Sequence, residues 1–280
     1  MRVILTLSIM WMCSMSAFAQ TDSTAEEKRT TFTVGATYVN NADYYGQKSE
    51  GTMAYVAASG TLKLKPGLYF TGTGIRLLND SNAVVSASAA GIGWQFNLGK
   101  KLTADVSYSH TFYPSRSPFL QASNPDNFSA SLSYAYWMTT SVNADYMMGK
   151  QDHDIFLTLG TEKMISLGSF SPKDLITLTP AINVTAGTQR FYETYVTEKR
   201  LRDSVLDVLL PGLPGTEPTI TTKTNTSFDL ISYNLKVPLA YNRDHFVIEA
   251  AYQLSVLGKK AQTGAGTANS FFSFSFYYQF

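Results

Sequence analysis

The chain ends in the stretch SFFSFSFYYQF, residues 270–280, in which aromatic and polar side chains alternate. Successive side chains of an extended strand point to opposite faces, so Phe272, Phe274, Phe276, Tyr278 and Phe280 share one face. The residues between them, which are mostly polar, share the other face. This period of two predicts a β-strand that separates an apolar environment from a polar one.

The same period recurs from Thr31 to the C-terminus, with turn-forming residues between the runs. We predict twelve strands, at residues 31–39, 51–64, 68–78, 83–97, 102–113, 127–138, 142–149, 154–166, 175–192, 227–242, 246–257 and 270–280. Apart from one loop segment, no stretch of comparable length carries a helical core pattern. The sequence therefore predicts an all-β fold.

The links between these strands are of two kinds. Those after even-numbered strands are mostly tight turns, at Lys65-Pro66-Gly67, Gly99-Lys100-Lys101, Thr139-Thr140-Ser141 and Asn242-Arg243-Asp244, with a longer link at 167–174. Those after odd-numbered strands include the longest, at 40–50, 114–126, 193–226 and 258–269. This asymmetry is typical of an antiparallel, up-and-down transmembrane β-barrel with short periplasmic turns and longer extracellular loops.

The composition agrees with a chain that is in contact with both lipid and water. Only 15% of the 280 residues are charged, 13% are aromatic, and mean hydropathy is −0.07. A disordered chain or a coiled coil would carry more charge and fewer aromatics, and a bundle of membrane helices would be more hydrophobic. The balance of 22 basic and 21 acidic residues gives no basic surface for nucleic acid, so none is expected as a partner.

The N-terminus predicts export. Arg2 precedes an apolar stretch over residues 3–15, and Ala17-Phe18-Ala19 follows, which is the pattern of a secretory signal peptide. We predict a signal peptide at 1–19, a short periplasmic segment at 20–30 and the barrel at 31–280. The chain's one cysteine, Cys13, lies inside the predicted signal peptide, so thiol chemistry is not expected in the mature protein.

The last strand resembles that of porin-like outer-membrane β-barrel proteins of Gram-negative bacteria, in which alternating apolar residues end in an aromatic. The resemblance implies a location in the outer membrane, contact with its lipid, and recognition by the barrel-assembly machinery. Phe274, Phe276, Tyr278 and Phe280 would form that assembly signal. The alternative is an exported soluble β-sandwich that ends in an aromatic strand.

Catalytic groups are scarce. The predicted topology places His153 in an outer loop and His245 after an inner turn, which excludes a site that they share. His110 and the Asp152-His153-Asp154 segment remain, but Phe112 stands where an outer-membrane phospholipase would carry serine. We therefore predict no catalytic residue, metal or cofactor, with a membrane-embedded hydrolase as the least favoured alternative.

Charged side chains on the lumen-facing parity give a better-supported hypothesis. The predicted strand directions place Asp105, Asp145, Glu162, Lys236 and Glu249 inward, in the inner third of the pore. Four acids against one base would favour cations at that level. The alternative is that Lys236 pairs with an acid and bridges a narrow barrel.

The loop 193–226 contains a predicted amphipathic helix, ended by Pro211-Gly212. Leu201, Val205, Val208 and Leu209 share its apolar face. This face would restrict the mouth, bind a partner or another copy of the chain, or pack on neighbouring loops. The sequence thus predicts a narrow, passive, porin-like channel for small polar or cationic solutes. The alternative is a non-conducting scaffold that binds a partner through its outer loops.

Overall fold

The structure is a computed structural model that describes residues 29–48, 53–79, 84–114, 124–149, 153–188, 228–259, 261 and 268–280. These residues form strands β1 (Thr31–Val39), β2 (Asp43–Tyr44), β3 (Gln47–Lys48), β4 (Tyr55–Lys63), β5 (Leu68–Leu77), β6 (Ala87–Asn97), β7 (Leu102–Phe112), β8 (Asp126–Ala135), β9 (Thr139–Met148), β10 (His153–Glu162), β11 (Ile165–Gly168), β12 (Asp174–Leu178), β13 (Ala181–Thr188), β14 (Phe228–Arg243), β15 (Phe246–Leu257) and β16 (Ala268–Gln279). No helix among them is long and apolar enough to cross a membrane.

All strands except β2 and β3 form one antiparallel sheet that closes on itself. β1 pairs with β4 on one side and with β16 on the other, from Thr33 opposite Gln279 to Val39 opposite Ser273. The pairing of β14 with β15 completes the circle. The wall closes without a free edge, and every strand of it except β11, which pairs only with β12, has a hydrogen-bonding neighbour on both sides.

Two of the crossings are interrupted. β10 is separated from β11, and β12 from β13, by two residues each, and β14 pairs with both β12 and β13. Pro180 lies in the second gap and has no N–H to give to the ladder. The N–H of Lys163 reaches the Pro180 carbonyl at 3.1 Å, which keeps the wall continuous there. Each interrupted pair makes one crossing, so the twelve-strand prediction is confirmed.

The outer face of the wall is apolar, as the alternation predicts. The exposed large apolar side chains of the strands are 37–55% exposed, whereas Phe156, which points inward, is fully buried. Leucine, isoleucine and valine share the outer face with aromatic side chains, among them Phe70, Trp94, Tyr134, Tyr108, Phe128 and Phe272. A continuous apolar outer face is the surface that a membrane barrel presents to lipid.

The C-terminal strand lies as its sequence predicts. Phe274 and Phe276 point outward, and Ser275 is buried inside, where its hydroxyl accepts a hydrogen bond from Thr37. The N–H of Phe280 donates to the carbonyl of Phe32 at 2.9 Å, so the last residue helps to close the seam between β16 and β1.

One predicted turn is wrong. The sequence places a turn at Thr139-Thr140-Ser141, but the turn lies at 136–138 and β9 begins at Thr139. Tyr136 and Trp137 are exposed at the rim, with Trp137 at 65%. Because apolar side chains are favoured there by the lipid interface, they extend the alternating pattern beyond the end of the strand.

Candidate functional site: the barrel lumen

The lumen has two ends, named here by their connections. The short-turn end carries the turns at 64–67, 98–101 and 136–138, and the long-loop end carries the links that follow β1, β7 and β13. Several inward side chains near the short-turn end, such as Thr61, Thr71 and Ser131, are polar and keep part of their surface exposed, although Glu249 and Ser275 are buried. Those near the long-loop end are packed, and Ser232 and Ser255 are fully buried. The lumen is therefore open in one half and filled in the other.

Three of the five predicted lumen charges lie together. Glu162 is paired with Ala181, which is paired in turn with Lys236, so the two charged residues are separated by one small residue on the intervening strand. Glu249 comes from the next strand, and the Lys236 charge acts on both carboxylates. This group carries two acids and one base, so Lys236 neutralises only part of its negative charge.

Asp105 belongs to a second group on the other side of the lumen. Its carboxylate accepts a hydrogen bond from the Tyr69 hydroxyl at 2.9 Å and interacts with the charge of Lys63, whose ammonium group donates to Gln95. Lys63 was not among the predicted lumen residues, because the strand that contains it alternates poorly and its parity is hard to assign. The lumen charge at this end is thus less acidic than the sequence suggested.

Asp145 joins neither of these groups. It is the seventh residue of β9, which begins three residues earlier than predicted, and it therefore lies nearer the long-loop end. Its Oδ2 atom accepts hydrogen bonds from Asn143 at 2.7 Å and from the hydroxyl of Tyr45 at 3.0 Å. The expected single ring is consequently divided, because counting along each strand depends on the position of every turn and ignores the stagger between strands.

Tyr45 belongs to a hairpin that the sequence prediction missed. The link after β1 turns inward and forms the short hairpin β2–β3, with Asp43 opposite Lys48 and Tyr44 opposite Gln47. Tyr45 and Gly46 have φ angles of 46° and 93°, as a tight two-residue hairpin turn requires. A Cβ on Gly46 would lie 2.8 Å from Asn234 Oδ1, so this position needs glycine for space as well as for conformation.

The hairpin crosses the lumen. Its Tyr45 and Gly46 carbonyls accept hydrogen bonds from Ser232 at 2.6 Å and Asn269 at 2.9 Å, and the Gln253 amide donates to Asp43 at 2.8 Å. These contacts lie on β14, β16 and β15, whereas Asp145, which binds Tyr45, lies on β9. In the order β9-β8-β7-β6-β5-β4-β1, β9 is six strands from the strand that leads into the hairpin, on the opposite side of the barrel.

Apolar packing fills the space around the hairpin. The Tyr45 ring stacks on Phe156 with 4.0 Å between centroids, and Tyr44 meets the same ring edge-on at 5.7 Å. These rings belong to a buried cluster with Met147, Ile231, Leu257 and Ala261. A second cluster covers the opposite wall, comprising Val39, Ala42, Met53, Tyr55, Ala57, Ile75, Leu77 and Ala87. Tyr113 packs against both clusters, so the long-loop half of the lumen is closed by apolar contacts.

The two histidines considered for catalysis lie on the outer wall. His110 Nδ1 is 2.6 Å from Asp126 Oδ1, and the Tyr108 hydroxyl donates to the same oxygen. His153 is exposed outside, whereas Asp154, the next residue, is 2% exposed inside the barrel. Adjacent residues of a strand point to opposite faces, so His153 and Asp154, the two described residues of the Asp-His-Asp segment, lie on opposite sides of the wall.

The remaining predicted features lie largely outside the described residues. The signal peptide at 1–19, Asp152 and the loop face formed by Leu201, Val205, Val208 and Leu209 are among them. His245 is exposed in the turn between β14 and β15, at the short-turn end, whereas His110 and His153 lie toward the long-loop end. Within the described part of the chain, no three histidine, cysteine or acidic side chains are grouped so that they could hold a metal ion.

Glycine shapes the short-turn half of the lumen by admitting large rings. A Cβ on Gly93 would lie 2.2 Å from the Tyr69 ring, so the absence of a side chain lets Tyr69 lie across β6 and reach Asp105. Gly93→Val is expected to displace this ring and to lower the free energy of unfolding by about 1–3 kcal/mol. The measurement is the temperature at which the protein changes from the folded form, which migrates faster on a gel, to the slower unfolded form.

Gly72→Val is the matched control for this prediction. Gly72 lies on the outer face of β5, and no atom lies within 4 Å of a Cβ built there. Valine fits an extended, lipid-facing position, so the control is expected to unfold at or above the temperature of the native protein. Equal losses of stability in the two variants would contradict the packing role assigned to Gly93.

No family model matches the sequence, and no curated protein matches it. Solved structures with a similar fold include the KdgM porin, at 7% identity and a TM-score of 0.46 over 89% of this chain and 99% of that one. LpxR from Salmonella typhimurium has 8% identity and a TM-score of 0.48 over 88% and 99% of the two chains. The COG4313 outer membrane channel from Pseudomonas putida F1 has 11% identity and a TM-score of 0.44 over 93% and 100%.

At these values the likeness is one of overall barrel shape. The strand pairing and the apolar outer band of the chain itself establish a closed, antiparallel barrel of twelve strands with an apolar outer face. A function has to be argued from the residues of its lumen.

Proposed function

We propose that this chain is a narrow, passive channel in the outer membrane of a Gram-negative bacterium, and that the structure describes it in a closed state. The observation that carries the proposal is the set of polar, partly exposed side chains in the short-turn half of the lumen, such as Thr61, Thr71 and Ser131. A barrel that served only as a membrane anchor would not need polar, partly exposed side chains between the hairpin and the short-turn end. The described hairpin, rather than the predicted loop 193–226, would then control the passage.

Small polar or cationic solutes fit this lumen best. In the short-turn half the inward charges are Asp105, Glu162 and Glu249 against Lys63 and Lys236, and Asp145 adds a further acid beneath the hairpin. Fixed charges that line a pore select by sign because they replace part of the hydration of the passing ion. The excess of carboxylates therefore supports a preference for cations.

The channel proposal predicts a selective conductance. Purified, folded protein in a planar bilayer is expected to show small conductance steps and a reversal potential that favours cations. In the double variant Glu162→Gln/Glu249→Gln, Lys236 loses two of its acidic neighbours, and the ratio of cation to anion permeability is expected to fall by about half or more. Reversal potentials measured across a salt gradient give this ratio.

Asp126→Asn is the matched control, because it removes a carboxylate from the outer wall and not from the lumen. Its permeability ratio is expected to equal that of the native protein. If the folded native protein gave no conductance steps at all, the channel proposal would fail. If the double variant kept the native ratio, the acids would have no part in selectivity.

A second candidate function is a non-conducting barrel that binds a partner through its outer loops. The hairpin packed across the lumen favours this candidate, because a permanent plug would serve it equally well. The two proposals differ in what the native hairpin does: it leaves the lumen at intervals in a channel and stays in place in a scaffold. Current through the native protein distinguishes them.

A further inference from the structure

We propose that one wall of the lumen binds zwitterionic solutes, which carry an ammonium and a carboxylate group close together, as free α-amino acids do. The site consists of Glu162, Asn183, Lys236 and Glu249, on the short-turn side of the hairpin β2–β3. This inference rests on the proposed channel function, because it names the class of solute that the channel would carry. Its test measures binding and does not require any current.

Neighbouring strands bring the charged side chains of this site to one wall. Glu162 on β10 is paired with Ala181, and Ala181 is paired with Lys236 on β14, so one methyl group separates the two charged residues. Glu249 lies on β15, whose residue Gln253 is paired with Lys236, and it is 8% exposed. All three charged side chains are on the inward face of their strands, and the charge of Lys236 acts on both carboxylates.

None of these three charges is in direct contact with another charged group. Within the described part of the chain, Glu162, Lys236 and Glu249 make no hydrogen bond and no ion pair. Asp43, a third acid on which the Lys236 charge acts, already accepts hydrogen bonds from the hairpin backbone and from Gln253. Charges of both signs therefore lie near one another in the lumen, and a ligand that bonds to them need not displace a contact within the protein.

A buried amide beside these charges also lacks a partner. Asn183 is 5% exposed and follows Ala181 by two residues on β13, so it faces the lumen on the same wall. Its side chain makes no hydrogen bond to any residue that the structure describes. A Cβ on Gly160 would lie 2.4 Å from its Oδ1 atom, so the amide lies across β10, the strand that carries Glu162. Because buried polar groups are normally hydrogen-bonded, this amide indicates a polar ligand in the lumen.

The signs of the charges select the ligand. A simple cation would be attracted by Glu162 and Glu249 but repelled by Lys236, and a simple anion would meet the opposite balance. A zwitterion can place its carboxylate against the Lys236 ammonium group and its own ammonium group against a glutamate, with a charge-assisted hydrogen bond at each end. The Asn183 amide can donate to the carboxylate or accept from the ammonium group. An α-amino acid carries both groups on one carbon atom and therefore fits this juxtaposition.

Three probes with the same carbon skeleton separate the two charges of the ligand. Near neutral pH, L-alanine is a zwitterion, L-alaninamide is a cation and N-acetyl-L-alanine is an anion. Saturation-transfer NMR on the purified, folded protein in detergent micelles measures the Kd of each probe. L-Alanine is expected to bind about tenfold more tightly than either derivative, because each derivative loses one charge-assisted hydrogen bond.

Lys236→Gln removes the positive charge of the site. In this variant the affinity for L-alanine is expected to fall about tenfold and its preference over L-alaninamide to vanish, whereas Lys236→Arg is expected to keep that preference. Glu162→Gln/Glu249→Gln removes the negative charges and is expected to abolish the preference over N-acetyl-L-alanine. Asp126→Asn, on the outer wall, is the matched control, and its three affinities are expected to equal those of the native protein.

Three results would overturn the site: native binding of L-alaninamide or N-acetyl-L-alanine as tight as that of L-alanine, a preference over L-alaninamide that persists in Lys236→Gln, or a preference over N-acetyl-L-alanine that persists in the double variant. Gel migration confirms that each variant is folded, and the double variant carries the test if Lys236→Gln does not fold. A failure of the channel proposal has a different signature. If the probes bound as expected but no current ever passed through the folded protein, the site would stand and the channel proposal would fall.

Discussion

Replacing residues 44–47 by Gly-Gly is expected to raise the single-channel conductance on the order of tenfold, because it removes the segment that crosses the lumen. Asp43 and Lys48 lie opposite each other in the hairpin, so two glycines can join them without strain on β1 or β4. The change removes both tyrosine rings from the cluster around Phe156. Single-channel recording in a planar bilayer measures the result.

Tyr45→Phe is the matched control for the shortened hairpin. It keeps the ring that stacks on Phe156 and loses only the hydroxyl that donates to Asp145. Its conductance per opening is expected to match that of the native protein, with openings somewhat more frequent because one attachment is lost. If the shortened hairpin conducted no better than this control, another part of the chain would close the lumen.

The barrel could be predicted from sequence because a membrane wall repeats one simple requirement. Each crossing must be apolar outside and compatible with water inside, and the strand period of two converts this into alternating residues such as those of β16. Errors arise where that requirement changes. Tyr136 and Trp137 are apolar because they meet the lipid interface, and they therefore conceal the turn at which β8 ends.

The hairpin β2–β3 that crosses the lumen could not be predicted in the same way. The link after β1 contains Asp43, Tyr44, Tyr45 and Gly46, and these residues suit an exposed turn as well as a buried hairpin. What decides between the two is the contact with Phe156 and Asp145, which lie about a hundred residues away along the chain. The one available signal is the pair of tyrosines beside a glycine, which is a large apolar surface for an exposed loop tip.

The depth of the lumen acids in the barrel could not be predicted from the sequence either. The alternation of side chains along each strand predicts that Asp105, Glu162 and Glu249 face the lumen. Their partners depend on the stagger between strands, which the sequence of one strand does not reveal. The three-residue error at the start of β9 leaves the face of Asp145 correctly assigned and misplaces its depth. Depth is the property that decides whether an acid lines the open half of the lumen or binds the plug.

Phe280→Ser is expected to reduce the amount of folded protein in the outer membrane by about an order of magnitude. The side chain is 68% exposed, and its ring contacts Phe32 and Tyr278 at the seam between the first and last strands. Because the final strand resembles the signal that the assembly machinery recognises, loss of this aromatic is expected to act before the barrel is complete. Heat-modifiable protein in isolated outer membranes measures the yield.

Phe70→Ser separates assembly from stability. Phe70 is a lipid-facing phenylalanine, 43% exposed, on the internal strand β5, and its loss removes a comparable apolar contact with the bilayer. Both variants are expected to refold into lipid vesicles with similar yields and to unfold at similar temperatures, since each loses one exposed ring. In cells only Phe280→Ser is expected to lose most of its folded protein. Equal losses in cells would mean that Phe280 acts through the stability of the wall, and that the last residue carries no separate assembly signal.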